Sequence, residues 1–169
     1  IVAVVATAVG LPTAIALTRY RLRGGGAIAA ALMLPLVVPS IIFAVALLVI
    51  LVRILNVELS LLTVGASHVF ICLPFAIMVL MSRLEGFDKS LEEASRDLGE
   101  DGWGTFRRVT LPLAWPAVIS SLLMCFIISF DEFVMAFFLS GTCPTLPVFL
   151  FGQLRFPNKL PGVLALGSL

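Results

Sequence analysis

The chain has 169 residues, of which 60% are hydrophobic and only 12% are charged, with a net charge of +1 and a mean hydropathy of +1.15. A soluble domain of this length would carry about twice that charged fraction, so the composition excludes this class. Long uncharged apolar runs between short charged clusters are instead typical of a membrane protein.

Five apolar runs follow one another along the chain, and a membrane-crossing helix takes about 20 such residues. They cover residues 1–18, 27–52, 59–82, 113–140 and 160–169, the last one truncated. The sequence therefore predicts an all-α fold, a polytopic transmembrane helix bundle forming one domain over residues 1–169, as a fragment that lacks helix at both ends. Pro35, Pro39 and Pro74 lie inside these runs and predict kinks.

The basic residues are distributed unevenly between alternate loops. One set of loops holds eight, namely Arg19, Arg21, Arg23, Arg83, Lys89, Arg96, Arg107 and Arg108. The other set holds three, namely Arg53, Arg155 and Lys159. Because basic residues favour the cytoplasmic side, residues 83–112 are predicted to be cytoplasmic, and residues 53–58 and 141–159 to lie outside.

The predicted cytoplasmic loop, residues 83–112, holds twelve of the chain's twenty-one charged residues. It also carries apolar residues at the spacing of one helical face, namely Phe87, Leu91, Ala94 and Leu98. A solvated loop needs no apolar helical face and no exposed tryptophan such as Trp103. The pattern therefore favours a helix that docks onto a cytoplasmic partner over a loop that is merely charged.

Local signals place the ends of the helices in this loop. Ser90 and Glu93 fit a capping box at the start of the first helix, and Gly99 predicts its end. The two glycines of residues 102–104 predict a loosened turn, and residues 106–110 predict a second short helix leading into the next span.

One motif in the loop resembles a known family. The motif consists of Glu93-Ala94-Ser95, three further residues, Gly99, nine further residues, and Val109-Thr110-Leu111-Pro112. It is similar to the EAA loop of ABC-transporter permeases of the binding-protein-dependent import class. Ser95 stands where the pattern has alanine, and Val109 where it has isoleucine. The resemblance covers most of the chain.

The resemblance implies a MetI-like permease fold in which this loop is the coupling helix for a cytoplasmic ATPase. Glu93 would contact the ATPase, Ala94 would let the helix sit closely in its groove, and Gly99 would make the turn. The other residues of the implied coupling motif are Ser95, Leu98, Leu111 and Pro112.

The resemblance further implies the membrane-spanning subunit of an ATP-driven importer in the bacterial inner membrane. It would not be an enzyme and would bind no cofactor, because ATP and Mg²⁺ belong to the partner ATPase. The chain itself carries no Walker A glycine loop. The implied partners are two ATPase subunits, a second permease subunit, an extracytoplasmic solute-binding protein and membrane lipid, with no nucleic acid.

Two adjacent acids, Asp131 and Glu132, follow eighteen uncharged residues, about 27 Å along the fourth run. A charge inside the membrane is costly, so the pair predicts a cation pathway, with Phe130 and Phe133 packing against an amine chain or its ammonium groups. The segment 129–141 resembles the spermidine/putrescine branch of the family, which implies a polyamine substrate. The alternative is that the helix ends at the membrane interface, where the acids contact water or pair with Arg155 or Lys159.

Two rival functions remain open at this stage. An ion-coupled secondary transporter would use Asp131 and Glu132 as a cation or proton site. A non-transporting membrane scaffold would use the loop only to bind a partner. The single histidine, His68, is interpreted as a polar residue bonded inside the bundle. Cys72 and Cys125 are interpreted as small apolar residues.

Overall fold

A computed structural model describes residues 1–20, 22–156, 158 and 160–167. Arg21 and Lys159, used above to assign orientation, lie outside the described residues, as do the last two residues of the fifth apolar run. All elements assigned in the described part are helices, which confirms the predicted all-α class. The α-helices are α1 (Val2–Arg19), α2 (Gly25–Val37), α3 (Ser40–Val49), α4 (Leu61–Glu85), α5 (Ser90–Asp97), α6 (Gly102–Thr105), α7 (Leu111–Asp131), α8 (Val134–Leu139), α9 (Leu146–Gln153) and α10 (Leu160–Gly167), and α3 continues as a π-helical turn over Ile50–Ile54.

Three helices in the described part are long and apolar enough to cross a membrane. They are α1, α4 and one continuous helix over Gly102–Asp131 that joins α6 to α7 through a π-helical turn at Phe106–Thr110. The bent pair of α2 and α3 makes a fourth if it is counted as one span. This agrees with a membrane helix bundle.

The centre of the bundle is formed by α1, α4 and α7, which pack against one another. Their contacts use small residues, so that the backbones approach closely. A Cβ atom added to Gly10 of α1 would lie only 3.0 Å from the Cβ atom of Ala76 of α4. The buried side chains of this centre are Ala6, Ala14, Cys72, Ala76, Leu80, Leu84, Ala114, Ala117, Val118 and Cys125.

Buried polar side chains join the same helices. The hydroxyl groups of Thr7 and Ser121 lie 3.0 Å apart and connect α1 to α7. His68 Nδ1 lies 3.0 Å from the hydroxyl oxygen of Ser129, which connects α4 to α7. The interpretation of His68 as a bonded bundle residue is confirmed. Such hydrogen bonds are needed because a polar group inside a bilayer has no water with which to form a hydrogen bond.

The run predicted as one span over residues 27–52 is divided in the structure. The helix ends at Val37 and restarts at Ser40, and the two parts are bent by 101°. Pro39 lies at the break, where its ring removes a backbone donor and blocks the previous turn. By contrast, α4 runs through Pro74 as one helix of 25 residues. The predicted kinks at Pro35 and Pro74 stay predictions.

The fourth predicted span, residues 113–140, is also divided. Its main helix ends at Asp131, and the six-residue α8 begins at Val134. The short α8 packs with α3 and α4 around Ala44, Val64 and Met135. In addition, α9 lies in the segment 141–159, for which the sequence predicted only an outer loop.

Candidate functional site

The helix α5 is held at its start by Asp88 rather than by Ser90. The Asp88 carboxylate accepts a hydrogen bond of 3.0 Å from the backbone N–H of Ser90, and this bond holds the pKa of that carboxyl below its usual value. Ser90 is itself the first helical residue and makes no capping bond with its side chain. The predicted capping box of Ser90 and Glu93 is therefore wrong, because the chain becomes helical one residue too early for it.

The end of α5 is closed by Gly99, as predicted. Gly99 has φ +90°, a left-handed conformation that suits glycine. Its N–H donates to the Arg96 carbonyl at 2.9 Å, and the Glu100 N–H donates to the Ser95 carbonyl at 3.2 Å. These two bonds form a Schellman motif, which satisfies carbonyls at the helix end and turns the chain sharply back.

The outer face of α5 is free in the described structure. Glu93 and Ala94 are exposed, Leu91 is 47% exposed and Leu98 is 87% exposed. We call these four residues the docking face. Phe87, placed on the same face by the sequence, is instead half-buried and packs against the bundle centre. Two leucines facing water beside a small residue and an acid are suited to a helix-in-groove contact.

The inner face of α5 is fastened to the rest of the protein. The hydroxyl groups of Ser95 and Thr105 lie 3.2 Å apart in a buried contact with α6. Glu92 Oε1 lies 3.1 Å from Arg19 Nε and accepts a 3.2 Å hydrogen bond from the Thr110 hydroxyl. These contacts of Glu92 with Arg19 and of Ser95 with Thr105 could not be predicted from the sequence, because partners 10 to 73 residues apart leave no periodic signal.

The second helix of the loop begins earlier than predicted. It starts at Gly102, where the Asp101 carboxylate accepts a 2.6 Å bond from Gly104, so both glycines lie within a helical turn rather than loosening the chain. Trp103 is 68% exposed and its ring lies 5.3 Å from that of Phe106. Leu111 and Pro112 lie in the first turn of α7, and it is the preceding Thr110 that contacts α5.

The two acids near the outer end of α7 have different surroundings. Asp131 is the last helical residue and is exposed. Glu132 is half-buried, and its Oε1 accepts bonds of 3.0 and 3.2 Å from the backbone N–H groups of Val134 and Met135. Glu132 therefore caps α8, where a carboxylate also meets the positive end of the helix dipole.

The aromatic neighbours of these acids belong to different pairs. Phe130 stacks on Phe126 at 5.8 Å between ring centroids, whereas Phe133 contacts Phe151 at 4.9 Å. A groove of about 370 Å³ between α1, α4, α7 and the start of α9 is lined by Phe130 but by neither acid. Among the described residues no ion pair joins Asp131 to Arg155.

The comparisons with known proteins agree with one another. The family model described as binding-protein-dependent transport system inner membrane component matches residues 6–165. The chain is 39% identical over 168 residues to the spermidine/putrescine transport system permease protein PotC of Haemophilus influenzae, covering 99% of this chain and 65% of that protein. It is 39% identical over 136 residues to PotC of Escherichia coli K12, covering 80% of this chain and 51% of that protein.

A third relative is also a polyamine permease protein. The putrescine transport system permease protein PotI of Escherichia coli K12 is 35% identical over 174 aligned residues, covering 99% of this chain and 62% of that protein. The chain thus spans 51–65% of the length of these three relatives.

Proposed function

The chain belongs to the family of binding-protein-dependent transport system inner membrane components, and from this premise we propose that it is the membrane-spanning permease subunit of an ATP-driven importer of polyamines. The observation that carries the proposal is α5. It is a short helix with its inner face fastened to the bundle and its docking face left free.

We assign the docking face to a cytoplasmic ATPase subunit. Leu91 and Leu98 would enter an apolar groove, Ala94 would let the two backbones approach, and Glu93 would pair with a polar or basic group at the rim. The turn at Gly99 supports this role, because it ends the helix sharply enough for a compact domain to surround it. ATP and Mg²⁺ would be bound by that partner.

The transport step follows from the attachments of α5. ATP-driven closure of two ATPase subunits would push two coupling helices together, and this chain would tilt with a second permease subunit, identical or related. An extracytoplasmic binding protein would deliver the solute to the outer ends of the helices. Transport by this mechanism needs the bundle to alternate between two states. A rigid contact between α5 and the bundle favours this mechanism, because movement of α5 then moves the spans.

The polyamine substrate is supported by the similarity to spermidine/putrescine and putrescine permease proteins and by Asp131. This carboxylate is exposed at the outer end of α7, about 30 Å from the start of that helix. An acid that makes no ion pair with any described residue, beside the exposed Phe130, suits a ligand with ammonium groups on an aliphatic chain. Glu132 is already used as a helix cap, so we assign it, with Phe133, a supporting role.

The rival functions receive less support. A proton- or ion-coupled transporter would need Asp131 and Glu132 to converge on one site, whereas Glu132 turns its carboxylate to the backbone of α8. A scaffold without transport would not account for membership in a family of transport-system components.

The test is reconstitution of the assembled importer, made of the permease pair, the ATPase and the cognate binding protein, in liposomes. We expect labelled spermidine or putrescine to accumulate only with ATP, and loaded binding protein to stimulate ATP hydrolysis. Uptake that runs on an ion gradient without ATP would refute the proposal. ATP-driven uptake of a solute without amino groups would refute the polyamine assignment alone.

A further inference from the structure

We propose that Arg19, Glu92 and Thr110 form a joint that carries the movement of α5 directly into α1 and α7, and this inference rests on the proposed function. Glu92 Oε1 is the centre of the joint, 3.1 Å from Arg19 Nε at the end of α1 and 3.2 Å from the Thr110 hydroxyl at the entrance to α7. One carboxylate oxygen on α5 therefore contacts two helices of the bundle centre.

Burial distinguishes this ion pair from the other one in the described structure. The side chains of Arg19 and Glu92 are 9% and 14% exposed, whereas those of Arg108 and Glu100 are 73% and 27% exposed. An exposed pair opens readily in water and transmits little force. A pair largely withdrawn from water resists separation, because each charge would be left without compensation. The Arg19–Glu92 pair is thus suited to move as one unit.

The position of Arg19 extends the joint into the membrane. It is the last residue of α1, where its positive charge also meets the negative end of the helix dipole. Further along α1, Gly10 lies against Ala76 of α4, and Thr7 is bonded to Ser121 of α7. A displacement of Arg19 along the axis of α1 therefore reaches contacts deep in the bundle.

The joint also has room to change its arrangement without breaking. Arg19 Nη2 is buried and has no hydrogen-bond partner among the described residues, where Nε is the guanidinium atom that contacts the carboxylate. Arg19 and Glu92 both line a cavity of about 70 Å³. The Glu92 carboxylate can therefore shift onto the unused guanidinium donor as α5 moves, and the charges stay paired in both positions.

The experiment measures the number of spermidine molecules imported per ATP hydrolysed by the assembled importer in liposomes. The variants are Arg19→Gln, Glu92→Gln and the double variant. Arg19 is informative because it lies on α1, away from the docking face. The control is Glu100→Gln, which breaks the exposed pair with Arg108 in the same loop.

We expect each single variant to lower the ratio by about tenfold, within the range of coupling effects between protein sites. Because the two residues act as a unit, the double variant should lose no more than either single variant. The control should keep the wild-type ratio. Should Arg19→Gln fail to assemble, Thr110→Val keeps the ion pair and is expected to lower the ratio by about threefold.

Three results would overturn the joint: ratios within twofold of wild type in the variants, losses that multiply in the double variant, or an equal loss in Glu100→Gln. None of these touches the proposed function, because the wild-type importer would still couple ATP to uptake. Uptake by the wild-type importer without ATP would instead overturn the proposed function.

Discussion

The hydroxyl group of Ser95 lies 3.2 Å from that of Thr105, and both side chains are buried between α5 and α6. Ser95 is the position at which the sequence departs from the alanine of the EAA pattern. The departure has a structural use, since it adds a hydrogen bond that fastens the docking helix to the start of the helix leading into the membrane.

Thr105→Val is therefore expected to loosen α5, because it leaves the buried Ser95 hydroxyl without this partner. The cost is about 1–3 kcal/mol for an unsatisfied buried group. Ser95→Ala combined with Thr105→Val removes both hydroxyl groups and should recover most of this loss. Hydrogen exchange of the amides of residues 90–99 in the assembled importer measures the effect. Equal exchange in Thr105→Val and wild type would show that the bond contributes nothing to the helix.

Gly99→Val is expected to disturb the turn after α5 and to abolish stimulation of the ATPase by loaded binding protein. A Cβ atom at Gly99 would meet no atom within 4 Å, so the cost is that of the left-handed backbone, about 1–2 kcal/mol. Gly99→Asn should be tolerated better, because asparagine visits this conformation. The matched control is Gly102→Ala, where φ is not positive and the added Cβ is also free of contacts. Normal stimulation in Gly99→Val would contradict the coupling role.

Much of the bundle could be predicted from apolar runs, since α1 and α4 lie within a few residues of the predicted spans. The positions of both helix breaks also had a sequence signal, because Pro39 lies at the first break and the acids Asp131 and Glu132 lie at the second. Nothing in the sequence indicates that α3 and α8, which follow these two breaks, pack against each other. The contact between α3 and α8 cannot be predicted from the composition of the chain.

The motif that resembles the EAA loop could be recognised in the sequence, whereas the contacts that hold its helix to the bundle could not. Glu93 and Gly99 match a spaced pattern, and the predicted helix stop at Gly99 is confirmed. Glu92 lies next to the motif, yet its partner Arg19 is 73 residues away. Glu92 is one of two adjacent acids in the sequence, and nothing in that pattern identifies Arg19 as its partner.

Glu93→Lys is expected to abolish ATPase docking while the permease stays folded in the membrane. Glu93 is exposed and makes no ion pair within the described residues, so the reversal removes no internal contact. The measurement is the amount of ATPase that co-purifies with the tagged permease. Glu58→Lys makes the same charge change at an exposed site in the predicted outer loop and serves as the control. Full recovery of ATPase with Glu93→Lys would remove this residue from the docking face.

The acids at the outer end of α7 should respond differently to substitution, because in the described structure Glu132 is bonded to the backbone of α8 and Asp131 is exposed. Asp131→Asn is expected to raise the KM, or to lower the rate, of uptake of the polyamine that the binding protein delivers. Folding should not change, since Asp131 is exposed and unpaired in the described structure. Glu132→Gln keeps an oxygen that can accept the bonds from Val134 and Met135, so it should transport nearly normally. Glu132→Ala removes the cap of α8 and should destabilise that segment by about 0.5–2 kcal/mol.

Uptake assays with an intact binding protein separate these effects when they are paired with hydrogen exchange of residues 134–139. If Asp131→Asn imports spermidine at the wild-type rate and apparent affinity, the acid is an interfacial helix end. The polyamine assignment then rests on the relatives alone.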